Sequence, residues 1–113
     1  MVDLGGVGMV KILKDHIGDC LEQIKWARYH KGEYSSSDPI LITQKKLRAI
    51  RDDKEAEPLN VYDIALLLES TRLSQNHFLK CKYEGKTVMP ETKEKVDRLH
   101  TILYKLFVEL MGQ

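Results

Sequence analysis

Cysteine is scarce in this chain: Cys20 and Cys81 are the two present, and two thiols in so short a sequence form no disulfide framework. Net charge is also missing. Lys and Arg number 18 against 17 Asp and Glu, a formal charge of +1, so any electrostatic signal toward a polyanion is local. No apolar run approaches the ~18 residues of a membrane span, and the opening Met1-Val2-Asp3-Leu4-Gly5-Gly6-Val7-Gly8 lacks the basic-then-apolar order of a signal peptide. These absences point to a cytoplasmic protein with reduced thiols and no membrane partner. Strand-period alternation, repeat-length self-similarity, a glycine-rich phosphate loop after a strand and a metalloprotease signature are absent too. No small-molecule ligand or cofactor is indicated, and the chain reads as a non-enzyme.

What is present describes one folded domain. Hydrophobic residues at 42% and charged residues at 31% of 113 residues supply a single core and little more. Residues 1–8 read as a flexible start, and 9–113 as one all-α domain of about five helices. Over 9–30 the apolar positions Leu13, Ile17, Cys20, Leu21, Ile24 and Ala27 recur in steps of three and four, one stripe of a helix. Gly18 inside it is rationalised by close packing against a neighbour. Residues 31–39 collect Gly, Ser, Asp and Pro and read as a loop. A second helix is capped by Thr43, carries Leu47 and Ile50, and ends ahead of Pro58.

Asn60 as N-cap with Asp63 at the third helical position opens a third helix bearing Ile64, Ala65, Leu67 and Leu68. Ser70-Thr71-Arg72 interrupts the apolar run. Ser74 then caps a fourth helix with Phe78 and Cys81 inward, ended by Gly85. Pro90 at a first helical position opens a long apolar C-terminal helix. Its apolar residues cover more than one stripe, so Leu99, Ile102, Leu103, Leu106, Phe107 and Leu110 are expected to form a homodimer interface as well as a core.

Two short helices joined by a turn, over 60–70 and 74–82, are the grammar of helix-turn-helix DNA recognition. The segments Leu47-Arg48-Ala49-Ile50-Arg51, Ile64-Ala65 and Leu73-Ser74-Gln75-Asn76-His77-Phe78 resemble the lambda-repressor-like family, which includes Cro and related phage and plasmid regulators. The resemblance spans 43–106. It implies a sequence-specific transcriptional regulator that binds double-stranded DNA as a homodimer. Ser74, Gln75, Asn76 and His77 would then read base edges, Gln and Asn being able to bond adenine bidentately. Lys45, Arg48, Arg72, Lys80 and Lys86 would hold phosphates, and residues 72–86 do form a basic island with Glu84 as the sole acid.

Other readings compete. The same apolar helices suit a non-enzymatic adaptor that seats a partner helix without nucleic acid. His16-x-x-x-Cys20 and His77-x-x-x-Cys81 each put a thiol and an imidazole one helical turn apart, a pairing zinc accepts. The expectation is that both cysteines are structural thiols and that no metal binds, since a site joining the two pairs would cover the DNA-facing surface.

Overall fold

The computed structural model describes residues 14–31, 39–55 and 57–112. The flexible start at 1–8, Leu13 and residues 32–38 of the expected loop lie outside the described residues. Among the described residues four helices are delimited, α1 (Ile17–Lys31), α2 (Pro39–Arg51), α3 (Val61–Tyr83) and α4 (Pro90–Met111). Among the described residues there is no strand, and no helix is long and apolar enough to cross a membrane.

The stripe on α1 packs as its spacing predicts: Ile17, Cys20, Ile24 and Ala27 are buried. Gly18 does not pack closely, because nothing lies within 4 Å of where a Cβ would stand. On α2 the expected cap is displaced. The helix begins one turn earlier, at Pro39, whose fixed φ and missing N–H suit a first turn. Thr43 is therefore an interior residue with its side chain buried. The end of α2 also comes before Pro58. Asp53 adopts a left-handed φ of 54°, Asp53 N–H donates to Ile50 O at 3.3 Å and Lys54 N–H to Ala49 O at 2.9 Å, a Schellman closure made with Asp in place of Gly.

Asn60 and Asp63 form a reciprocal capping box at the start of α3, with Asp63 N–H donating to Asn60 Oδ1 at 3.0 Å and Asn60 N–H to Asp63 Oδ2 at 2.9 Å. Asp63 does more than cap. Its carboxylate also accepts from Thr43 Oγ1 and from Lys46 Nζ, the latter at 2.9 Å, so one buried acid clamps α2 against the first turn of α3.

The turn expected at 70–72 does not exist; the third and fourth expected helices are the single helix α3. Ser70 Oγ donates to Leu66 O at 3.0 Å and Thr71 Oγ1 to Leu68 O at 2.8 Å. Each hydroxyl bonds the preceding turn of its own helix and so offers the backbone no alternative path. This merger leaves no turn between the two expected helices over 60–70 and 74–82. α3 closes with Gly85 at φ 74°, Gly85 N–H on Lys82 O at 3.1 Å and Lys86 N–H on Cys81 O at 2.8 Å, the glycine form of the same Schellman closure.

α4 starts at Pro90 as expected, but it is amphipathic and not apolar throughout. Val96, Leu99, Leu103 and Leu106 are buried on one row, while Lys93, Glu94, Lys95, Arg98 and Lys105 are exposed. Leu99, Leu103 and Leu106 belong to the chain's own core together with Leu47, Ile64 and Leu67. They are covered by this chain and unavailable to a partner subunit, which corrects their place in the expected dimer interface. Ile102, Phe107 and Leu110 are half-buried and pack against the same core.

Candidate functional site

Thr71 faces His100 and Gln75 faces Asp97, so numbering rises along α3 as it falls along α4 and the two helices form an antiparallel hairpin. An open groove of about 1060 Å3 runs along one side of it. Its α3 wall includes Leu68, Arg72, Gln75, Leu79 and Lys82, and its α4 wall Lys93, Asp97, His100, Tyr104 and Phe107. Both rows advance by three or four residues, so each is one helical face.

The antiparallel register puts apolar side chains at both ends of the groove, joined at the Leu79 end by Lys82 and Lys86, and a hydrogen-bonded polar set in its centre. Leu68 meets Tyr104 and Phe107 at one end; Phe78, Leu79 and Val88 cluster at the other. Leu68 and Phe107 are half-buried against the core, whereas Leu79 is 64% and Tyr104 58% exposed. In the centre, Gln75 Nε2 donates to Asp97 Oδ1 at 2.9 Å, and Lys93 Nζ reaches Asp97 Oδ2 at 3.3 Å. The Thr71 hydroxyl has one hydrogen, directed to Leu68 O, so it accepts from His100 Nδ1 at 2.8 Å.

Charge in the groove is positive. Lys86 pairs with Glu84 at 3.2 Å and Lys93 with Asp97, whereas Arg72 and Lys82 are exposed with no carboxylate partner among the described residues. Asp97 is already held by Lys93 and Gln75, and Glu69 has an interaction of its own.

The residues expected to read bases are divided between two faces of α3. Gln75 and Asn76 line the groove, but Gln75 is bonded to Asp97. Ser74 is buried at 2% exposure and donates to Gln23 Oε1 of α1 at 2.6 Å. It is neither a cap nor a surface residue, because the continuity of α3 turns it toward α1. His77 lies edge-on to Trp26, with ring centroids 5.7 Å apart, and its Nε2 is 3.5 Å from Cys81 Sγ. Of the expected phosphate contacts, Arg72 and Lys86 line the groove. Lys45 and Arg48 are exposed on α2, and Lys80 is exposed on α3 outside it.

Among the described residues no three His, Cys, Asp or Glu side chains gather to hold a metal ion. Cys20 is fully buried; burial, aided by the charge of Asp19, pushes its thiol up to about 12.

Leu68, Leu79, Tyr104, Asp97 and His100 were not singled out by the sequence as site residues. The signal is there: Leu68, Arg72, Asn76 and Leu79 keep helical register. It is legible only if α3 is read straight through Ser70 and Thr71. Compared with protein-family models, curated proteins and solved structures, the chain matches none of them, and the functional reading rests on geometry.

Proposed function

We propose that this chain is a helical protein-interaction module, not an enzyme, and that the α3–α4 groove seats a helix of a partner protein. The observation that carries the reading is a large exposed apolar side chain at each end of the groove, Tyr104 at one and Leu79 at the other, on one face of a hairpin whose opposite face is core. A groove between two helices with apolar contacts in helical register is the form that helix-in-groove recognition takes. The polar centre supports the same role, since Gln75, Asp97 and His100 are hydrogen-bonded to their own neighbours and leave the rim, not the floor, to choose the partner.

Duplex DNA is the rival partner, favoured by the exposed Lys45, Arg48 and Lys80. That reading now lacks a recognition helix of helix-turn-helix form and retains Asn76 as an uncommitted base reader. Selection of a displayed random-peptide library on the full chain separates the two. Helix-forming binders that lose affinity for Leu79→Arg and Tyr104→Arg support the groove. Binders indifferent to both substitutions reject it, as does a salt-sensitive DNA mobility shift that maps to Lys45, Arg48 and Lys80 with no groove-directed peptide recovered.

A further inference from the structure

The occupant of the groove can be specified further on its length and its charge; this step rests on the docking reading above. Leu68 and Leu79 mark the apolar ends on α3, and eleven residues of helix separate them by about 16 Å. A partner helix that touches both ends needs apolar residues about three turns apart, with intermediate anchors every three or four residues.

Charge decides the rest. Arg72 and Lys82 stand along the same wall, ten residues or about 15 Å apart, and neither has a carboxylate partner among the described residues. Of the groove's two acids, Asp97 is occupied by Lys93 and Gln75, and Glu69 has an interaction of its own. A second copy of this chain docked groove to groove about a two-fold axis brings the same cations against one another, so self-association through this face is disfavoured. A basic helix meets the same repulsion. We propose that the groove binds an acidic amphipathic helix, its apolar stripe reaching from Leu68 to Leu79 and its flanking carboxylates pairing with Arg72 and Lys82.

The test uses two synthetic peptides of about eighteen residues, long enough for the groove, with leucines at i, i+4, i+7 and i+11. Glutamate and glutamine fill the other positions of one, lysine and glutamine those of the other. Each is titrated into the isotope-labelled full chain and followed by amide shifts and by fluorescence anisotropy. The acidic peptide is expected to bind about tenfold or more tightly than the basic one, with shifts confined to the facing rows of α3 and α4, and raised salt narrows the gap. The double charge reversal Arg72→Glu with Lys82→Glu, at two exposed sites, inverts the preference while leaving the helical spectrum unchanged. Equal binding of both peptides in the groove overturns the acidic partner and leaves the docking reading standing. Failure of the acidic peptide to bind also overturns it, and the library selection then decides separately whether the groove docks anything.

Discussion

A single sulfur atom shows how burial sets chemistry at the residue scale. Cys20 is fully enclosed by α1 and its neighbours, and its thiol is raised from 9.0 to about 12 by that enclosure first and by Asp19 second. Cys81, half-exposed near the end of α3, has no such protection. Timed alkylation at pH 8 should therefore show one fast thiol and one that reacts only on unfolding; two equal rates would remove the buried core from the account. The raised value also has a thermodynamic sign. A folded-state pKa above the unfolded one contributes stability that is intact below about pH 9 and is lost as pH climbs toward about 12. Cys20→Ala should cost about 1 kcal/mol at neutral pH, and the difference in urea midpoint between it and the wild type should shrink as pH rises above 9.0. At Gly18 the expected sign is opposite. With nothing within 4 Å of the added methyl, Gly18→Ala should raise stability by up to about 1 kcal/mol, read as a higher denaturation midpoint.

Among elements, the junction of α2 and α3 depends most on one side chain. Asp63 accepts from Lys46, Thr43 and the Asn60 backbone, and the Lys46–Asp63 pair is 10% and 6% exposed at its side chains. Removing one member strands the other, so Asp63→Ala should lower unfolding free energy by about 3–5 kcal/mol, and pairing it with Lys46→Met should recover a large part. Chemical denaturation of the single and double variants measures both. The same junction shows what the sequence discloses. The Asn60 cap, the Asp63 position, Pro90 and Gly85 were legible because capping is local chemistry between residues a few apart. The break at Ser70-Thr71 was misread because a hydroxyl's partner is not written in its identity: it caps a new helix or bonds the turn behind it, and only the surrounding packing decides. Ser74 was misplaced for the same reason, its real partner Gln23 being 51 residues away. The groove followed Ser74 into obscurity, since its α3 wall crosses the misread break.

For the whole molecule, one buried cluster draws on α1, α2, α3 and α4. Leu103 is fully buried among Ile64, Leu67 and Leu99, so Leu103→Ala should cost about 2–5 kcal/mol, and the melting temperature of both proteins should be independent of protein concentration. A concentration-dependent melt would return Leu103 to a subunit interface. The hairpin also bears on the order in which the chain assembles. Among the described helices α3 and α4 share the most extensive contact and are neighbours in sequence, joined across Gly85, whereas α1 packs on α3 as well as on its own neighbour α2. Local contacts close with less loss of chain entropy than distant ones. The hairpin is thus the natural nucleus and α1 the late arrival, and native-state amide exchange should be slowest in the facing rows of α3 and α4. The proposed docking surface then rests on the part of the protein that forms first on refolding, and it stands before the remaining helices have settled.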